Sequence, residues 1–64
     1  MKDIYLVRRG VGREILSIRM TTLDRIEALE YASTEAIKNP GFTYTVYHDG
    51  NEGVIAKFYV KEEG

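Results

Sequence analysis

Apolar and polar residues alternate along four short stretches of this chain and recur at spacings of three and four along a fifth, and the change of period predicts the order of elements. Ile4-Tyr5-Leu6-Val7-Arg8-Arg9 is rich in strand formers and stops at Gly10-Val11-Gly12, where glycine permits the positive φ angles of a tight turn. From Glu14 to Thr21, Leu16, Ile18 and Met20 fall on one face and Ser17 and Arg19 on the other, the period of a strand with one side on a core. Residues 3–21 therefore read as a β-hairpin. Thr21-Thr22 offers a helix N-cap, with Asp24 in the first turn, where the helix dipole favours a negative charge. From Leu23 onward, Leu23, Ile26, Leu29, Ala32, Ala36 and Ile37 form one apolar stripe. Arg25 lies at its edge, and Asp24, Glu27, Tyr31, Thr34, Glu35 and Lys38 face elsewhere, which predicts an amphipathic helix. Asn39-Pro40-Gly41 ends it, because proline disfavours helical geometry at the residue before it and glycine readily reverses the chain.

Beyond that stop, Phe42, Tyr44 and Val46 alternate with Thr43, Thr45 and Tyr47. The run Asp49-Gly50-Asn51-Glu52-Gly53 supplies turn residues, and Val54, Ala56, Phe58 and Val60 then alternate with Ile55, Lys57, Tyr59 and Lys61. This is a second hairpin, followed by a polar tail, Glu62-Glu63-Gly64, expected to fray. The expected fold class is α+β, in the order ββαββ. Two β-hairpins form a four-stranded antiparallel sheet with one helix packed on one face, as a single domain over residues 1–64.

A chain of 64 residues has room for one core and buries only about 60% of the surface its unfolded form exposes. Small folds commonly add a disulfide, a metal or a partner subunit. Cysteine is absent and His48 is the single histidine, so oligomerisation, in its simplest form a homodimer, is the expected support. The lack of cysteine suits a reducing compartment, the N-terminal residues do not resemble a signal peptide, and no run approaches the length of a membrane span. These features lead to the expectation of a cytoplasmic protein without a membrane partner. The net charge of −1 conceals an asymmetry: residues 1–26 carry a net +3 and residues 27–64 a net −4. Such a separation steers a charged partner unless folding neutralises it in surface pairs.

One helix shields one face of such a sheet. With Leu16, Ile18, Met20, Phe42, Tyr44, Val46, Val54, Ala56, Phe58 and Val60 assigned to the helix side, and Ile4 and Leu6 less securely so, the other face carries Tyr5, Val7, Ile15, Tyr47, Ile55 and Tyr59. A sheet face left to water is normally polar. Two readings follow: exposed residues that are simply good strand formers, or a contact surface for a second copy or another protein.

Arg8-Arg9-Gly10-Val11-Gly12-Arg13 is the one segment that resembles a ligand site. Glycines expose backbone N–H groups and guanidiniums bind phosphate through paired hydrogen bonds. With Arg19 these arginines are the candidate anion-binding set, for a nucleotide or nucleic acid. The segment has neither the lysine of a phosphate-binding loop nor the spacing of a dinucleotide fingerprint, and a pI near 5.7 lies far from that of a dedicated nucleic-acid binder. A hairpin with a solvated basic rim is the plainer reading, and contact with an acidic protein surface is the third. His48-Asp49 is the sole adjacent pair with acid–base potential, and no nucleophile accompanies it, so catalysis is not expected. No metal spacing appears, and Asp49, Asn51 and Glu52 sit in a loop too short for the calcium pattern; no metal and no cofactor are expected. Asp24, Glu27, Glu30 and Glu35 give the helix an acidic face, either solvated or a dock for a basic partner.

The segments Ile26-Glu27-Ala28-Leu29-Glu30-Tyr31-Ala32, Asn39-Pro40-Gly41, Tyr44-Thr45-Val46-Tyr47 and Val54-Ile55-Ala56-Lys57-Phe58 together resemble small ββαββ proteins of bacteria and their phages, over most of the chain. The resemblance implies the fold, and it implies action by binding a host protein, as an inhibitor or adaptor. The expected function is thus non-enzymatic: protein interaction through the tyrosine-bearing face, with anion or nucleic-acid binding by the arginines as the alternative.

Overall fold

The computed structural model describes residues 3–50 and 53–63. Met1, Lys2, the turn residues Asn51 and Glu52, and Gly64 of the tail lie outside the described residues. Four strands and one helix follow the expected order: β1 (Ile4–Val11), β2 (Glu14–Thr22), α1 (Arg25–Lys38), β3 (Thr43–Asp49) and β4 (Gly53–Tyr59). They form a four-stranded antiparallel sheet in the order β2-β1-β3-β4. Because β2 and β3 both run antiparallel to β1, they share a direction, and α1 is the crossover that returns the chain from the edge to the middle of the sheet.

The first hairpin closes over a two-residue loop, Gly12-Arg13, between the paired Val11 and Glu14. Gly12 has φ +61° and Arg13 does not have positive φ, the pattern of a type II′ turn, whose twist matches that of the flanking strands.

Where the chain leaves simple alternation, bulges are the cause. The register runs Val7 to Met20, Arg8 to Ile18, Arg9 to Ser17 and Gly10 to Ile15, so Arg19 and Leu16 are extra residues in β2. Each bulge resets which side the next residue takes. Ile18, expected under the helix, lies beside Arg8 on the open face, and Leu16 is half exposed. A third bulge, at Ile55, pairs Val54 with Tyr47 and so places Val54 on the open face as well.

The core lies between β1, β3 and the helix. Tyr5, Val7, Tyr44 and Val46 from the sheet meet Ala28, Ala32 and Ala36 from α1, with Met20, Leu29, Tyr31, Phe42, Ile55, Ala56 and Phe58 packed round them. The expectation that Tyr5 and Val7 lie on the open face is therefore corrected: Val7 is fully buried and Tyr5 nearly so, both under the helix. The segment Ile4-Tyr5-Leu6-Val7 is apolar on both sides and its own pattern cannot choose a face. Pairing of Tyr5 with His48 and Val7 with Val46 makes the choice and turns Leu6, opposite Tyr47, to the other side. Ile55 is likewise corrected, since it packs against the core cluster.

The helix departs from expectation at both its cap and its face. Asp24, and not Thr21 or Thr22, is the N-cap: its Oδ1 accepts from the Ile26 N–H at 2.9 Å and the Glu27 N–H at 3.3 Å. Thr22 braces this turn, accepting from the Asp24 N–H at 3.1 Å and donating its hydroxyl to the Glu27 carboxylate. At the other end the Asn39 N–H and Nδ2 both donate to the Glu35 carbonyl, and Pro40 follows. The line that meets the sheet is alanine. Tyr44, Val46 and Val7 fill the layer between helix and sheet, so only a methyl group fits opposite them. Leu23, Ile26 and Ile37, expected in the sheet-facing stripe, are instead 63%, 66% and 69% exposed. Among the described residues no helix is long and apolar enough to cross a membrane.

Candidate binding face of the sheet

The face away from the helix is built from cross-strand rows. In one, Ile18, Arg8, Thr45 and Lys57 stand side by side across β2, β1, β3 and β4. The next row towards the first turn is Ile15, Gly10, Thr43 and Tyr59, and on the other side stand Thr21, Leu6, Tyr47 and Val54. Arg8 and Lys57 are two strands apart, about 10 Å at the backbone, and both have side chains long enough to converge over Thr45. Ile15, Ile18 and Tyr59 around this polar centre are each more than half exposed.

Gly10 leaves a gap in the layer of side chains, and a Cβ there would come within 2.1 Å of the Glu14 carbonyl oxygen. Over this gap lies a shallow pocket of about 280 Å³, whose lining includes Arg8, Arg13, Thr43, Thr45, Tyr47 and Lys57. The Arg8 guanidinium stacks 4.3 Å from the centre of the Tyr47 ring, an arrangement that holds a cation in place without neutralising it. The Arg8 Nε is buried and has no hydrogen-bond partner among the described residues. Nor does any carboxylate among them form a salt bridge with Arg8, Arg13 or Lys57; Glu14 is the one acidic residue in the lining.

The four candidate arginines are not gathered into one site. Arg8 and Arg13 line the pocket on the open side. Arg9 also contributes to the lining, but its guanidinium stacks 4.8 Å from the centre of Phe42, on the side of the core. Adjacent residues in a strand face opposite ways. Arg19 occupies a bulge in β2 and takes no part in the pocket. Of the six expected face residues, Ile15, Tyr47 and Tyr59 are on the open side.

Lys57, Thr43 and Thr45 complete the pocket. Alternation alone put them on the outer face, but their meeting with Arg8 depends on β1 lying beside β3, which no local pattern encodes. His48 is placed elsewhere: its ring stacks on Tyr5 with centroids 4.9 Å apart, and its Nε2 is 3.1 Å from Asp3 Oδ1, while Asp49 is exposed at the end of β3. Among the described residues no three of His, Cys, Asp and Glu gather closely enough to hold a metal ion. No protein-family model, curated protein or solved structure matches the chain.

Proposed function

We propose that this protein is a non-catalytic binding domain that docks an acidic protein segment on the open face of its sheet, acting as an inhibitor or adaptor does, by occupying a partner's surface. The observation that carries this reading is the row Arg8-Thr45-Lys57, two cations without a salt-bridge partner among the described residues on either side of a threonine, framed by exposed Ile15, Ile18, Val54 and Tyr59. Apolar anchors round a charged centre are the usual composition of a protein contact, and the sign of the charge selects carboxylates. The same sign opposes association of two copies through this face, because a two-fold axis would set the cations of one against those of the other.

The test is a heteronuclear NMR titration of the protein with a synthetic peptide of glutamate and interspersed leucine, run at low and at physiological salt. Amide shifts centred on Arg8, Thr45, Lys57 and Ile18, lost in Arg8→Ala with Lys57→Ala, support the reading. Shifts confined to α1, or none at millimolar peptide, overturn it. The hydroxyls of Thr43 and Thr45 and the ring of Tyr47 also suit a phosphate-bearing strand. A single-stranded oligonucleotide that binds more tightly than the peptide, with affinity falling steeply in salt, replaces the acidic protein by nucleic acid.

A further inference from the structure

The three most exposed large apolar side chains of the described molecule are not on the sheet. They are Leu23, Ile26 and Ile37, at 63%, 66% and 69%; Leu23 precedes the N-cap of α1, and Ile26 and Ile37 are on the side of the helix that faces away from the core. Ile26 and Ile37 are about three turns apart, about 16 Å along the axis, and within about 20° of each other round it. Both lie roughly 130° from the line of Ala28, Ala32 and Ala36 that meets the sheet. The helix is thus apolar on two sides, and it turns its larger apolar residues outward. We infer that this outer stripe is the seam of a homodimer in which α1 packs antiparallel against α1 of a second copy.

A second copy fits for two reasons. First, a two-fold axis through the middle of the helix, between Tyr31 and Ala32, sets Ile26 of each chain beside Ile37 of the other, so each exposed isoleucine meets an isoleucine. Ser33 lies between them and its small side chain permits close approach. Second, the charges beside the stripe match only in this direction. Glu27 and Lys38 lie on the same flank of the helix, within about 20° of each other, so an antiparallel pair brings Glu27 of one chain to Lys38 of the other twice over. A parallel pair puts the two Glu27-Lys38 flanks on opposite sides of the seam, and the match is lost. Lys38 is free to serve, since its side chain is 67% exposed and its contact with Glu35 is long, at 4.0 Å. Glu30 is the one carboxylate inside the seam, and the symmetry places it opposite Ser33 of the partner copy. The seam leaves both sheet faces uncovered, pointing outward on opposite sides of the pair.

Sedimentation equilibrium of the full chain tests this. The unaltered protein is expected to be dimeric at tens of micromolar, and Ile26→Asp with Ile37→Asp to be monomeric. Glu27→Lys should weaken the dimer at least tenfold, and adding Lys38→Glu should restore it to within about threefold. Both changes place a charge unfavourably in the helix dipole and Glu27→Lys also loses the Thr22 hydroxyl contact, so recovery of association by the double variant reports pairing across the seam and nothing in the monomer. Glu30→Ala should tighten the dimer. Circular dichroism confirms that each variant keeps its helix. A protein monomeric at several hundred micromolar, a dimer that survives Ile26→Asp with Ile37→Asp, or one that dissociates on Ile18→Asp overturns the inference. The peptide titration of the open face is unaffected by these results, so the two proposals fail separately.

Discussion

Gly10→Ala is the substitution whose cost follows most directly from the geometry. The residue is buried in β1, and its added Cβ would lie 2.1 Å from the Glu14 carbonyl oxygen, 3.1 Å from the carbon of the same carbonyl and 3.3 Å from the Ile15 Cα, all of them backbone atoms. No side chain can rotate away to relieve the overlap, so the end of β2 must move off by about 1 Å. The pairs Gly10 to Ile15 and Val11 to Glu14 hold that end. Losing about two net ladder hydrogen bonds at about 1 kcal/mol each, in a core where overpacking costs about 1–3 kcal/mol, gives about 2–3 kcal/mol. A domain of this length has about 3–10 kcal/mol in all. With a urea m-value of about 1 kcal/mol/M, the midpoint should fall by about 2–3 M. Gly12→Ala is the control: nothing lies within 4 Å of its Cβ, and only the φ of +61° opposes it, at about 1–2 kcal/mol. Urea titrations followed by circular dichroism compare the two. The reasoning fails if Gly10→Ala costs less than about 0.5 kcal/mol, the range of an ordinary surface change, or less than Gly12→Ala.

Two further changes probe the core and the cap. Tyr44 is fully buried, and its hydroxyl has no hydrogen-bond partner among the described residues. Tyr44→Phe should therefore leave stability unchanged or raise it by about 1–2 kcal/mol, and a loss of that size in urea unfolding would show that the hydroxyl is bonded. Asp24→Ala removes the acceptor of two helix N–H groups and should cost about 1 kcal/mol, a fall in Tm of roughly 4–8 °C; an unchanged Tm contradicts the capping role.

The elements and their order were legible because each has its own local grammar. The alternation through Tyr44 and Val46 and the stop at Asn39-Pro40-Gly41 act over a few residues and appear where expected, while the first turn, expected at Gly10-Val11-Gly12, closes two residues later at Gly12-Arg13 because Gly10 and Val11 pair in the ladder. What was not legible depends on partners distant in the chain. Ile18 and Val54 changed sides because bulges at Arg19 and Ile55 shift a register that only the neighbouring strand defines. Tyr5 and Val7 were taken for the open face because β1 is apolar on both sides, and the pairing with β3 decided otherwise. On the helix, apolarity was read as a single stripe, but Ala32 and Ala36 belong to the buried line and Ile26 and Ile37 to the exposed one. Volume separates them: the tyrosine and valines of the sheet leave space for methyl groups only. Similarly the arginine cluster was read as one site, although the strand period already sends Arg8 and Arg9 to opposite faces, and one of the pocket's cations, Lys57, comes from a distant strand.

If two copies join along α1, the two binding faces become parts of one object, and this has a measurable consequence. Each open face in the pair is as it is in the monomer, because the seam touches neither Arg8, Thr45 nor Lys57. Affinity for a single acidic peptide free in solution should then be the same for the dimer and for Ile26→Asp with Ile37→Asp. A surface that carries many copies of the peptide is a different target: a dimer held by one face presents the other at high effective concentration, and such linkage commonly raises avidity by about 10²–10⁴. The two faces point in opposite directions, so the gain requires targets that can reach both sides, as peptides on a flexible polymer do and peptides packed on a rigid plane do not. Biosensor measurements on the two supports separate the cases. The unaltered protein should dissociate at least a hundredfold more slowly than the monomeric variant from the flexible support, and at a similar rate from the rigid one. Equal dissociation from both supports, with the dimer confirmed by sedimentation, would mean that the two faces do not act together.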